Sequence, residues 1–295
     1  MPIRIGTAER GGTFHLQGLA LKRVLEREPI LAPVEIVEMH EASIENARRL
    51  EAGDITFGFM AANWVTAAQQ GTPPFNAALG VRLVAPMNAG PLFFISLASS
   101  PLTRVHDLPG KRIAIGARGS GMAQHAQAIL GALGIRAGEF TPVHLDFAAG
   151  ATALERGDVH AQLQCPIPNR VMTELIARTS LRVLRYGPDE MIKLLAAVPF
   201  YRRTLMHKGD LAGLDDDVAQ PAVLNLLVTH ARVAEATVHC VARAVLAGSA
   251  ELGRLEPLFG GLSALVESLR KEGLVALGCG EDAVHAGALR AFRES

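Results

Sequence analysis

One pattern occurs twice in this chain, and it restricts the fold more than any other feature. In the first copy Ile5-Gly6 ends a strand-like run, a glycine-rich loop follows (Gly11, Gly12), and the helical stretch Phe14–Glu26 comes next. Roughly 110 residues later Ile115-Gly116 leads into Gly119-Ser120-Gly121 and the helical stretch Met122–Leu133. Each copy closes alike: LEAGDITFGF (Leu50–Phe59) and LERGDVHAQL (Leu154–Leu163) both carry Leu-Glu-x-Gly-Asp before an apolar strand opener. The glycine of that motif suits a left-handed helix C-cap. Each copy therefore runs strand, Gly loop, helix, strand, helix, cap, strand. Solenoid units are shorter and more numerous, so the repeat implies two similar lobes.

Between and around these landmarks, short β-like runs alternate with helical patterns. The strand candidates are Ile3–Gly6, Val34–Met39, Thr56–Met60, Leu79–Ala85, Leu92–Ala98, Arg112–Gly116, Phe140–Leu145, Ala161–Gln164 and Arg182–Tyr186. Alternation of this kind argues for an α/β class with mainly parallel sheets. After Ala196 the pattern turns helical, with helix periodicity over Asn225–Leu246 and Leu262–Glu272 and few strand candidates. Asp215-Asp216-Asp217 reads as a solvated turn ahead of the first of these helices. A length of 295 residues fits about two domains.

Composition removes several function classes. Lys plus Arg and Asp plus Glu balance at 29 each, so no global field favours nucleic acid or an anionic membrane. Aromatic residues make up 5%, too few for base-stacking platforms. The three cysteines, Cys165, Cys240 and Cys279, are far apart and form no C-x-x-C, so neither a disulfide framework nor a zinc site is expected. Two uncharged runs, Ile55–Val81 and Leu83–Thr103, are broken by Pro, Gly, Asn and Gln and do not read as membrane helices. Direct membrane insertion, nucleic-acid binding, metals and cofactors are all absent from the expectation.

The Gly loops carry the chemistry. GTAERGGT (Gly6–Thr13) resembles a P-loop, but Gly12 stands where the lysine that reaches terminal phosphates belongs. GARGSGMA (Gly116–Ala123) does not follow the Rossmann G-x-G-x-x-G spacing either. What remains at each is a backbone cradle at a helix N-terminus, where unpaired N–H groups and a partial positive charge favour a small anion such as a carboxylate. The candidate ligand contacts are Gly11, Gly12, Thr13, Phe14 and His15 in the first loop and Arg118, Gly119, Ser120 and Gly121 in the second. Asn63, after a strand, reads as a ligand contact or a helix N-cap. Gln162, Gln164 and Asn169 flank the last strand of the second copy and are candidate cleft residues. Arg118 could hold a carboxylate in two-point fashion or be a solvated loop charge. His15, His125 and His285 lie nearest the motifs, yet no H-E-x-x-H and no G-x-S-x-G is present.

With these residues assembled, the chain resembles the TAXI-type solute receptors of TRAP transporters. The resemblance rests on IGTAERGGTFH at the start, LEAGDITFGFMAAN, DLPGKRIAIGARGSG (Asp107–Gly121) and the closing VHAGALRAFRES (Val284–Ser295), in family order over nearly the whole chain. Where the family carries paired aromatics after GGT this chain has Phe14-His15, and Ala286 replaces a proline. The resemblance implies a type II periplasmic-binding-protein fold, two α/β lobes joined by crossover strands with a ligand cleft between them. The expected division is 1–92 with 195–295 as lobe I and 93–194 as lobe II. The implied function is capture of a small organic acid, such as glutamate, and delivery to a membrane transporter, with no catalysis. The chain passes from Met1-Pro2 straight into Ile3-Arg4-Ile5, without a signal peptide. A periplasmic location is therefore implied if an export signal has been removed, and a cytoplasmic one if Met1 is the native start. The alternative is a cytoplasmic decarboxylase or lyase of an aromatic or dicarboxylic acid on the same scaffold.

Overall fold

The computed structural model describes residues 2–10, 12–118, 120–164, 169–198 and 200–295. The chain groups into two compact units, Met1–Ala89 with Leu224–Ser295, and Gly90–Val223. Residues 195–223, assigned to the first lobe on sequence, group with the second unit.

The first copy of the repeat comprises β1 (Ile3–Gly6), α1 (Thr13–Leu25), β2 (Val34–Val37), α2 (Ser43–Ala52), β3 (Phe57–Ala61) and α3 (Ala62–Gln70). Then β4 (Val81–Pro91) and β5 (Phe93–Leu97) lead into the second copy. That copy holds β6 (Arg112–Ala114), α4 (Gly121–Ala132), β7 (Thr141–Val143), α5 (Phe147–Arg156), β8 (Ala161–Gln164) and α6 (Arg170–Arg178). It is followed by β9 (Leu181–Val183), α7 (Pro188–Ala197), β10 (Tyr201–Met206) and β11 (Val218–His230). The chain ends in α8 (Glu235–Ala247), α9 (Ser249–Leu255), α10 (Leu262–Glu272) and α11 (Ala286–Glu294).

Within the first unit β1 lies between β2 and β3 and runs parallel to both, with Ile5 beside Ile36 and Phe57. Within the second unit β6 lies between β7 and β8, again parallel to both. The parallel expectation thus holds for the repeat itself. The sheets are nonetheless mixed: β3 pairs antiparallel with β11, and β5 pairs antiparallel with β8 and β9. Antiparallel neighbours need no crossover helix, which is why these pairings leave no βαβ signature in the sequence.

Local physics accounts for the repeat. Gly53 and Gly157 end α2 and α5 in the left-handed region, at φ 83° and 77°, where a side chain would be strained. The chain then turns back onto the sheet in the same way twice. Thr56 N–H donates to the Arg4 carbonyl and His160 N–H to the Arg112 carbonyl, both at 2.8 Å. The apolar positions of α1 and β3 close the first core, with Leu21, Leu25, Phe57 and Phe59 fully buried.

The expected helix Asn225–Leu246 is corrected by the structure. Its first part belongs to β11, a strand of 13 residues that is buried along almost all its length, and the helix begins only at Glu235. A continuous apolar run buried on both faces has no period that separates strand from helix. The triple aspartate precedes that strand rather than a helix: Asp216 pairs with Arg185, and Asp217 with His207 at 3.1 Å. Among the described residues no helix is long and apolar enough to cross a membrane.

Candidate functional site

Each Gly loop follows the C-terminal end of a central parallel strand and opens a helix. In the first unit Gly12 is the N-cap of α1, extended at φ −72° and ψ 164° and without a side-chain cap bond. Its carbonyl accepts from Leu16 N–H at 3.0 Å, so Thr13 is the first helical residue. In the second unit Ser120 is the N-cap of α4, and its Oγ accepts from Ala123 N–H at 3.2 Å. The Ser120 hydroxyl is therefore already engaged in capping. Gly116 sits at φ +105°, and a Cβ there would stand 2.7 Å from the Met122 Cβ; this turn requires glycine. Neither α1 nor α4 has an acidic residue in its first turn, so neither helix offsets its own positive end with a carboxylate.

The remaining candidates from the loops are placed as follows. The Phe14 ring stacks on Phe59, with centroids 5.5 Å apart. The His15 ring lies 3.8 Å from Glu38 Oε1. Arg118 is exposed, and Gly121 is the first residue of α4. Gly11, Gly119 and Cys165 lie outside the described residues.

The amides divide sharply. Asn63 is the second residue of α3, whose N-cap is Ala61, so it is not the cap; its Oδ1 is buried without a hydrogen-bond partner. Asn169, by contrast, is a cap: its Oδ1 accepts from Met172 N–H at 2.8 Å. Gln162 is buried, with Nε2 donating to the Phe147 carbonyl at 3.0 Å and Oε1 unpartnered. Gln164 is fully buried, and neither its Nε2 nor its Oε1 has a partner.

The structure adds a cluster that sequence reasoning missed. In the first unit Asn88 Oδ1 accepts from Gln17 Nε2 and from Asn225 Nδ2, both at 3.1 Å. All three side chains are buried, and Gln17 Oε1 has no partner. The available signal was a polar residue on the apolar face of α1 and one within each of two long apolar strands. None of the buried polar residues among those described is Lys, Arg, Asp or Glu. The buried surface thus offers hydrogen bonds without formal charge.

Each of the other two candidate histidines has partners of its own. His125, on α4, is buried; its Nδ1 lies 2.8 Å from the Tyr201 hydroxyl, and burial pushes its pKa down to about 4. Burial likewise drives the Tyr186 phenol well above its ordinary value. His285 caps α11 through Nδ1, which accepts from Gly287 N–H at 3.1 Å, and its Nε2 lies 3.0 Å from the Val233 carbonyl. Burial lowers its pKa as well. Among the described residues no group of three or more His, Cys, Asp or Glu is placed to hold a metal ion.

Comparison with known proteins follows this geometry. The model of the NMT1-like family matches residues 5–295. Among solved structures, a putative sulfonate ABC transporter periplasmic sulfonate-binding protein from Methylobacillus flagellatus is similar over 100% of this chain and 94% of its own, at 14% identity and a TM-score of 0.56. The BenM effector-binding domain with its effector benzoate is similar over 85% of this chain and 93% of its own, at 15% identity and a TM-score of 0.53. Likeness at such identities shows the fold. It is the two-lobed α/β fold of the type II periplasmic binding proteins.

Proposed function

The chain belongs to the NMT1-like family, and from that premise we propose that it is a solute-binding receptor for a small organic anion. One observation carries the proposal. The same device occurs in both units: a helix N-terminus directly after a central parallel strand, with no acidic residue in its first turn. Backbone N–H groups and the helix dipole bind an anion without a side-chain cation. The structurally similar proteins support the choice of ligand charge, since one is named for sulfonate and the other holds benzoate. Both are anions of the size a backbone cradle takes.

In this proposal Gly12, Thr13 and Phe14 supply the first set of contacts, and Ser120 and Gly121 the second, with Gly11 and Gly119 completing the loops. The ring of Phe14, stacked on Phe59, gives a ligand an apolar wall. Asn63, Gln162 and Gln164 tune specificity through their unpartnered amide atoms, His15 borders the first cradle and Arg118 the second. The ligand is a small organic acid held through one carboxylate, and the receptor hands it to a membrane transporter from a periplasmic position. The motifs shared with TAXI receptors favour an ion-gradient-driven TRAP transporter over an ATP-driven one.

The test is a thermal-shift and calorimetric screen of carboxylates and sulfonates. A ligand at 100 times its Kd adds about 2.7 kcal/mol to stability, so a true ligand raises the melting temperature by several degrees. If no organic anion moves the melting temperature or releases heat, the reading fails. The transporter type is decided by uptake into vesicles, driven either by an ion gradient or by ATP.

A further inference from the structure

Among the buried polar side chains Gln164 stands apart. It is fully buried, and both its donor and its acceptor are without a partner. A buried amide in that condition is unfavourable and is uncommon in folded proteins. The repeat shows what the position ordinarily takes. Aligning Leu50 with Leu154 sets Met60 against Gln164, and Met60 is a fully buried apolar residue, the last but one of β3. The second copy has thus replaced a thioether of similar length by an amide in the same structural slot. The first copy shows that this position in the repeat does not by itself call for an amide.

Its position connects it to the second cradle. β6 and β8 are parallel neighbours with Ala114 beside Gln162. Two residues further along each chain stand Gly116, where the Gly loop begins, and Gln164, where β8 ends. Gln162, two residues back, already uses its Nε2 on the Phe147 carbonyl. Gln164 is the one of the pair with both hydrogen-bonding atoms available.

We propose that Gln164 selects ligands that carry, besides the anionic group, a neutral group able to both donate and accept, namely a carboxamide or a hydroxyl. This rests on the anion-binding reading above. The anionic group is held at the N-terminus of α4, and the neutral group pairs with Gln164 Nε2 and Oε1. A second carboxylate is rejected on two grounds. It has no donor for Oε1, and none of the buried polar side chains among the described residues is a Lys or Arg that could neutralise it. An alkyl end leaves both amide atoms unpaired, and sites built to hydrogen-bond a group discriminate strongly against ligands lacking it.

The experiment uses matched probes on two skeletons: succinamate, succinate and butyrate, and 4-carbamoylbenzoate, terephthalate and 4-methylbenzoate. On the full chain, at least one carboxamide binds tenfold or more tighter than its alkyl counterpart, and the dianion of that set binds weakest. In Gln164→Met the carboxamide preference collapses to less than threefold, while the protein alone melts higher because the orphaned amide is gone. Gln164→Met retaining the preference, or melting lower without ligand, overturns the assignment. If wild type binds the probes with no preference for the carboxamide, this inference fails and the anion reading stands. If it binds none of them and no other organic anion, both fail.

Discussion

Gly150 on α5 and Gln162 on β8 fit one another: a Cβ added to Gly150 would stand 2.5 Å from Gln162 Nε2. The first copy holds the same fit with the parts exchanged. There the helix supplies the amide, Asn46, and the strand supplies the glycine, Gly58, whose added Cβ would stand 3.1 Å from the Asn46 Cβ. Asn46 Nδ2 donates to the Thr7 and Phe59 carbonyls, each at 2.9 Å, as Gln162 Nε2 donates to Phe147. Each unit thus ties a helix to its sheet by one amide, and each needs a glycine opposite it.

This fit makes a coupling prediction. Gly150→Ala forces the Gln162 amide off its carbonyl, a loss of about 1–3 kcal/mol, which outweighs the gain of up to 1 kcal/mol in helix propensity. In a Gln162→Ala background the same change meets no amide and only the Ala114 Cβ, 3.3 Å away. Urea unfolding of the four proteins should show Gly150→Ala costing about 1 kcal/mol or more less in the second background than in the first. Equal effects in both would mean that the two residues are not coupled.

His125 predicts an acid limb in stability. Burial lowers its pKa from the ordinary 6.5 to about 4, so the folded chain keeps it neutral where the unfolded chain takes up a proton. Stability is therefore full above pH 6.5 and is lost as pH falls from 6.5 to 4, by about 3 kcal/mol in total. Unfolding free energies across that range should lose most of this slope in His125→Gln. An unchanged slope would place the titration elsewhere.

Ser120 separates capping from anion binding. Ser120→Ala removes the bond to Ala123 N–H and should cost about 1 kcal/mol. Ser120→Asp keeps a good cap and holds the melting temperature, but sets a negative charge at the mouth of the cradle. Its affinity for an organic anion should fall at least tenfold, on the order of 1.4 kcal/mol. Full affinity in Ser120→Asp would show that no anion binds at this helix.

Gly12 tests the other cradle. A Cβ there would lie 3.0 Å from the Glu9 carbonyl oxygen, and the φ of −72° is open to any residue. Gly12→Val should therefore leave the fold in place with a loss of about 1 kcal/mol or less, while its side chain crowds the N–H groups of the first turn and abolishes anion binding. Unchanged affinity would make this loop a turn and nothing more.

Some of this molecule is legible from neighbours in sequence. The glycine caps at Gly53 and Gly157 and the Gly loops that open α1 and α4 depend on bonds that span only a few residues, and α1 begins at Thr13, one residue ahead of the expected Phe14. The strands Ile3–Gly6 and Ala161–Gln164 lie where alternation and flanking glycines set them. The polar cluster of Gln17, Asn88 and Asn225 was not legible, because its members are 71 and 137 residues apart. Nor was the role of Asn63, which has the type of a cap but sits inside the first turn of α3.

The sequence by itself determined the repeated α/β unit and the two Gly loops that open α1 and α4, since backbone dihedrals and caps are local choices. Tertiary structure alone decided that Val218–His230 is a strand, because cover on both faces erases the period that would identify it. It also decided between two glutamines that the sequence presents as equals. Gln162 and Gln164 share a strand and a face, yet one donates to a helix carbonyl and the other keeps both amide atoms unbonded. What separates them is the Phe147 carbonyl on α5, 15 residues from Gln162 in sequence, which lies within reach of that amide, and no pattern of neighbouring residues encodes it.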